Sequence, residues 1–119
     1  EKKAYQKEIK AIKHAHTAGS LTEAQMHNLV VMAYARAGEG RQALNHIGSN
    51  SAKWWPQALA AACRSQVKIV VRNTKNKKVG LAKKIVDDMR TYGLEDGEVE
   101  RLHVSVVQLY AKEGRLAVA

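Results

Sequence analysis

Glycines divide this chain into segments, and within each segment the apolar residues recur at helical spacing. Apolar positions three and four apart form one stripe along a helix, and that stripe can be buried against neighbouring helices. The pattern predicts an all-α chain of about six helices, with a truncated seventh over 115–119. The glycines that separate the segments are Gly19, Gly38, Gly40, Gly48, Gly80, Gly93, Gly97 and Gly114.

Cap and turn residues mark the ends of the predicted helices. Ser20 with Glu23 three residues later is a capping-box pattern, and it predicts the start of the helix over 21–37. Gly48 is expected to end a short helix in a left-handed conformation, and Pro56 fits the first turn of the helix that follows. The polar, basic segment 73–78 is predicted to be a loop. Helices are predicted over 21–37, 41–47, 56–72 and 79–92.

The charge of the chain favours an anionic partner. Lysine and arginine number 20 against 11 acidic residues, which gives a formal charge of +9. Such an excess attracts RNA, DNA or an anionic membrane before any specific contact forms, although it can also serve solubility alone. No stretch approaches the roughly 20 apolar residues that a transmembrane helix needs. Residues 1–119 are interpreted as a single domain, either a fragment or the mature part of a longer array.

Motifs that carry chemistry are missing from the sequence. Cys63 is the only cysteine, which excludes an internal disulfide and a cysteine-rich zinc site. His14 and His16 stand two apart on a predicted helix, the wrong spacing for shared metal ligands. Asp87 and Asp88 are interpreted as a solvated pair, and no nucleophile motif or glycine-rich phosphate loop is visible. We therefore expect no catalytic residue, no metal and no cofactor, in a protein that is not an enzyme.

Internal similarity is the strongest pattern in the chain. The segment Tyr34-Ala35-Arg36-Ala37-Gly38 matches Tyr110-Ala111-Lys112-Glu113-Gly114, and an alanine follows each glycine by five residues, at Ala43 and Ala119. With Ala82 between them, these alanines are 39 and 37 residues apart. The spacing predicts one helical hairpin per step, in which glycine turns the chain and alanine lets the helices pack closely.

These repeated residues resemble the pentatricopeptide-repeat family. The segment from Tyr110 is similar to the end of that family's first helix, and Ala82, Ile85, Met89 and Gly93 are spaced as in its second helix. The resemblance covers about half of the chain. It implies an α-solenoid of antiparallel helix hairpins and a noncatalytic, RNA-associated role in an organelle, with the mitochondrion favoured over the plastid and an organellar ribosome or other ribonucleoprotein as the assembly.

The same resemblance implies positions that contact bases. In that family a polar residue near the start of the first helix and another at the repeat junction hold one base. These positions correspond to Asn28 and to Asp96, whereas the second repeat has Val104, which cannot hydrogen-bond. The alternative for Asn28 is a polar residue on the surface of a helix.

Cations at helical spacing predict contacts with RNA phosphates. Arg64, Lys68 and Arg72 recur four apart and so share one helix face. The alternative is a solvated basic face. The full predicted set is Arg64, Lys68, Arg72, Lys75, Lys77, Lys78, Lys83 and Lys84.

The two tryptophans support a second interpretation of the function. Trp54 and Trp55 can stack on bases or contact a partner, and because adjacent helical residues face different ways, one is expected in the core and one on the surface. They favour, as the alternative to RNA (single-stranded or ribosomal), a helical scaffold that binds other subunits of a large, possibly membrane-bound complex. DNA binding is a third alternative, without a recognition-helix signature.

Overall fold

The computed structural model describes residues 4–73 and 79–112, and these two ranges contain helices and no strand. The predicted all-α class is confirmed. Lys75, Lys77, Lys78 and the predicted seventh helix lie outside the described residues. The elements are α1 (Ala4–Thr17), α2 (Glu23–Arg36), α3 (Gly40–Ser49), α4 (Pro56–Asn73), α5 (Val79–Asp88), a 3₁₀ turn (Met89–Tyr92) that continues α5, and α6 (Asp96–Lys112).

Helix α2 begins two residues later than the sequence predicts. The Thr22 hydroxyl accepts a hydrogen bond from the Gln25 backbone N–H at 3.1 Å, and the Gln25 side chain accepts one from the Thr22 backbone N–H at 2.9 Å. This is a reciprocal capping box. The sequence pattern at Ser20 and Glu23 is therefore the wrong pair, since an equivalent pair two residues on provides the cap.

Glycines in a left-handed conformation end some of the helices, but not the short helix that Gly48 is predicted to end. Gly19, Gly38 and Gly93 have φ of +89°, +79° and +109°, and they follow α1, α2 and the 3₁₀ turn. A left-handed residue just after a helix allows the chain to leave its axis. Gly48 instead lies inside α3, which continues to Ser49 and ends at Asn50 in an extended conformation, so the predicted stop at Gly48 is wrong.

Helix α4 is the centre of the fold. It contacts α2, α3, α5 and α6. Most of its buried apolar side chains belong to the main core, which also takes residues from all four of those helices. A smaller cluster, formed by Ile9, Val30 and Ala33, joins α1 to α2. The position of α4 therefore determines which of its side chains reach solvent.

Small residues set how closely the helices approach α4. Ala43 and Ala82, two of the repeated alanines, are completely buried. At Gly40 the approach is closest, because a Cβ built on this residue would lie 2.4 Å from the backbone nitrogen of Gln66. The start of α3 thus rests on the backbone of α4, where only glycine fits.

None of the helices in the described part of the chain combines the length and apolar character that crossing a bilayer requires.

Replacing Gly40 with alanine tests this close approach. We expect Gly40→Ala to lower the free energy of unfolding by about 1–3 kcal/mol, because the new methyl group forces α3 away from α4. Gly97→Ala is the control, since a Cβ there meets nothing within 4 Å. It should be neutral or stabilise by up to about 1 kcal/mol. Urea denaturation of both variants measures the difference, and equal stabilities would contradict the packing described for Gly40.

Candidate nucleic-acid interface

The exposed face of α4 lines a groove between α2 and α4. Arg64, Lys68 and Arg72 are all exposed, and all three lie along this groove, which has a volume of about 590 Å³. At 1.5 Å of rise per residue, positions four apart are about 6 Å apart along the helix axis. The three cations therefore form a row about 12 Å long. The structure brings together these three members of the predicted phosphate-binding set.

Arg36 joins the row from the opposite wall. It is the last residue of α2, it lines the same groove, and its guanidinium forms an ion pair with Glu8 of α1. We call the cleft bounded by Arg36, Arg64, Lys68 and Arg72 the basic groove. The sequence gives no sign that Arg36 belongs to this set, because α2 and α4 meet only in the tertiary fold.

The floor of the basic groove is made of small and apolar side chains. Ala35, Ala61 and Ile69 line it together with Ser65, whose buried hydroxyl has no hydrogen-bond partner in the structure. No carboxylate is among the described residues that line the groove. Four cations around a floor without acids attract anions, and a guanidinium group can bind two phosphate oxygens at once.

The remaining predicted cations lie elsewhere. Lys83 and Lys84 are exposed on α5, and neither lines the basic groove. The Lys84 ammonium lies 4.0 Å from the Asp88 carboxylate, one helical turn further along. For these two residues the structure gives no common site with Arg64, Lys68 and Arg72.

Asn28 is not a surface residue. It is 0% exposed, and its side-chain amide donates to the backbone carbonyl of Ala24 at 2.8 Å and to that of Lys53 at 3.1 Å. Its side-chain oxygen accepts from the backbone N–H of Trp55 at 2.7 Å. Both ends of the amide are used to hold the segment before α4 against α2. The predicted base contact at Asn28 is therefore corrected to a structural role.

Asp96 is exposed, as a base contact requires, but it lies away from the basic groove. It is the first residue of α6, and its carboxylate accepts a hydrogen bond from Arg90 Nε at 2.9 Å. A carboxylate at the start of a helix is also favoured by the helix dipole. The hydrogen bond from Arg90 and the helix dipole are thus local reasons for an aspartate at position 96.

Trp54 and Trp55 are both half-buried and both pack against the main core. The predicted division into one core and one surface tryptophan is wrong, because the two residues precede α4 and are not helical. The ring of Trp54 meets those of His27 and His46 edge-on, with centroids 6.3 and 6.4 Å apart.

His27 and His46 form a pair that the sequence analysis does not anticipate. Nδ1 of His27 lies 2.9 Å from Nε2 of His46, so one ring donates and the other accepts as a neutral base. Glu23 lies 3.6 Å from the other nitrogen of His27. Burial lowers the pKa of His46, and the charges of His27 and Lys13 lower it further. A separation of 19 residues leaves no local sequence signal for such a pair.

Cys63 has the environment of a packing residue. Burial raises the pKa of its thiol to about 12, so the thiol stays protonated and unreactive at neutral pH. Within residues 4–73 and 79–112, no three side chains of histidine, cysteine, aspartate or glutamate converge to hold a metal ion.

No family model, curated protein or solved structure shows significant similarity to this chain. The resemblance to pentatricopeptide repeats therefore rests on the repeated residues alone. The function must follow from the geometry and charge of the site itself.

Truncating Asn28 separates its structural role from a role in binding. We expect Asn28→Ala to lower the free energy of unfolding by about 1–3 kcal/mol, because the buried N–H of Trp55 loses its acceptor. Asn45→Ala, at an exposed position of α3, should change stability little. Urea denaturation gives both values. A loss of RNA affinity by Asn28→Ala at unchanged stability would restore the base-contact interpretation.

The histidine pair predicts how stability depends on pH. Folding lowers the pKa of His46, so below its ordinary value of 6.5 the unfolded chain binds more protons than the folded one. The free energy of unfolding should therefore fall as the pH drops through about 6.5. His46→Gln should flatten this dependence, whereas His14→Gln, at an exposed position, should not. Urea titrations across this pH range are the measurement, and identical slopes for both variants would contradict the assignment.

Proposed function

We propose that this protein is a noncatalytic, RNA-associated helical-repeat protein that holds RNA phosphates in the basic groove. The observation that carries the proposal is the row formed by Arg64, Lys68 and Arg72, faced by Arg36 across the groove. Its repeat of about 6 Å suits a polymer with evenly spaced negative charges. Binding of this kind releases counterions and does not require a base to be read.

The charge around the groove supports an RNA phosphate over a small neutral ligand. The formal charge of the chain is +9, none of the described residues that line the groove is acidic, and Glu8 approaches it through its ion pair with Arg36. That pair is largely exposed, so water weakens it. A phosphate can therefore displace the Glu8 carboxylate from Arg36, or bind Arg36 beside it, at a small cost in free energy.

The fold proposed for this function is an α-solenoid of antiparallel hairpins. From α1 to α6 each helix contacts the next, α2 also contacts α4, and α4 also contacts α6. Stacked hairpins produce this pattern of neighbours. The extents of 53 × 33 × 19 Å and the radius of gyration of 15.2 Å also support an elongated stack, because a compact domain of this length has about 13.5 Å. In this arrangement the basic groove separates the first helices of two successive hairpins.

The place of action in the proposal follows from the repeated residues. The likeness of Tyr34–Gly38 and Tyr110–Gly114 to pentatricopeptide repeats supports an organellar protein, in a mitochondrion before a plastid. A component of an organellar ribosome or another ribonucleoprotein fits the combination of cationic helix faces and a noncatalytic fold.

A second candidate function is a helical scaffold that binds protein subunits. The observation that favours it is the exposure of apolar side chains, with Leu81 44%, Val104 52% and Val107 48% exposed. Val104 and Val107 lie one turn apart on α6 and so share a face. A partner helix could cover that face.

Removing the cations of the groove tests the proposed function. The variant Arg64→Gln/Lys68→Gln/Arg72→Gln should bind a single-stranded RNA oligonucleotide more weakly at low salt. Each lost phosphate contact also reduces the slope of log K against log salt by about 0.7, so the three together should reduce it by about 2. Fluorescence anisotropy across a potassium chloride series measures both quantities.

The control removes three charges elsewhere. Lys7, Arg41 and Lys112 are exposed on α1, α3 and α6, and none lines the basic groove. If their replacement by glutamine weakens binding as much as the groove variant does, only net charge matters and the site is not where we place it. The scaffold function is favoured if the unaltered protein shows no RNA binding at low salt. It is also favoured if neither the groove variant nor the control variant changes assembly with a protein partner.

A further inference from the structure

A second, smaller cleft lies between α4 and α6, and it shares Arg64 and Lys68 with the basic groove. Its volume is about 140 Å³. We call it the α4/α6 slot. Its inner walls are almost wholly apolar, and most of the side chains that form them are at most 3% exposed. The wall residues are Cys63, Val67, Leu102, Val106 and Leu109.

The size of the slot limits what it can take. An apolar cavity of about 150 Å³ in a protein holds one benzene ring. A volume of about 140 Å³ therefore suits a single six-membered ring better than a fused double ring. Besides the two cations at its rim, the slot offers one polar side chain, the hydroxyl of Ser105, so an ionic group inside it would lose its hydration without replacement.

We propose that the α4/α6 slot takes a pyrimidine base of the RNA strand whose phosphates lie on Arg64 and Lys68. This inference rests on the proposed function, because the two cations hold the strand at the mouth of the slot. The ring then leaves water for apolar walls, and the Ser105 hydroxyl can bond one polar atom on the edge of the base.

Charge complementarity favours a nucleotide as the occupant. The two residues at the rim are both cations, and no described residue that lines either cleft is acidic. A nucleotide combines a negative phosphate with a flat ring at a fixed short distance, which is the pairing that the cation-lined rim and the ring-sized slot present. An acidic peptide with one apolar side chain is the competing occupant, and it is included in the test.

The test compares three oligonucleotides of equal length on the unaltered protein at one salt concentration. Oligouridylate should bind about tenfold or more tightly than an abasic ribose-phosphate oligomer, because insertion buries one ring against the apolar walls of the slot. Oligoadenylate should gain less than oligouridylate. Equal affinities for uridine and abasic oligomers would overturn the base insertion and leave phosphate binding intact. Absence of binding by every oligomer would overturn the proposed function and this inference with it.

Filling the slot gives the matched variant. Ser105→Leu should reduce the affinity for oligouridylate to that of the abasic oligomer, while the affinity for the abasic oligomer stays unchanged. Gln108→Leu, at an exposed position of α6 outside the slot, should leave both affinities as they are. Thermal unfolding of both variants verifies that each is folded.

An acidic peptide with a single leucine is the last arm. If it binds more tightly than oligouridylate, and if Ser105→Leu abolishes that binding, the slot belongs to a protein partner and the proposal is wrong. If it binds no better than the same peptide with alanine for leucine, the nucleotide remains the occupant.

Discussion

The arrangement of the basic groove depends on how α4 is held against α2 and α3. Two contacts fix the position of α4. The Asn28 amide holds the backbone of Lys53 and Trp55 just before α4 begins, and Gly40 allows the start of α3 to pack against the backbone of Gln66. Both contacts involve backbone, so a side chain cannot relax to absorb a change. Because the rotation of α4 is fixed in this way, its exposed face points at α2 and not into solvent alone.

The row of cations destabilises α4 through the repulsion of like charges, and the burial of apolar side chains on the same helix offsets this effect. Like charges four apart oppose a helix by a few tenths of a kcal/mol per pair. The opposite face of α4 buries a stripe that includes Leu59, Cys63 and Val70, which stabilises the helix by considerably more. A polar residue placed there would weaken α4 and disperse the cations. Charge and packing on one helix are thus coupled, and an anion in the basic groove would relieve the repulsion.

Local features of this fold could be predicted from the sequence, and tertiary ones could not. The bounds of α4 and the α3–α4 turn follow from periodicity and from Pro56, which act within a few residues, and the predicted row on α4 is found in one groove. The sequence pattern misplaces the cap of α2 because two cap patterns overlap there. The contribution of Arg36 and the pair of His27 with His46 depend on helices that meet only after folding, so no spacing rule could find them.

Asn28 shows why polar residues on a helix are an uncertain guide to recognition. An amide can serve a base or the backbone, and here its nitrogen donates to the carbonyls of Ala24 and Lys53 while its oxygen accepts from the N–H of Trp55. With that amide used, and with a valine at position 104, the repeat positions offer little hydrogen bonding to base edges. In the proposed complex, a preference among bases comes from the shape of the α4/α6 slot, which distinguishes ring size more readily than it distinguishes uracil from cytosine. In the proposed complex, phosphates supply the affinity and the slot supplies a coarse selectivity.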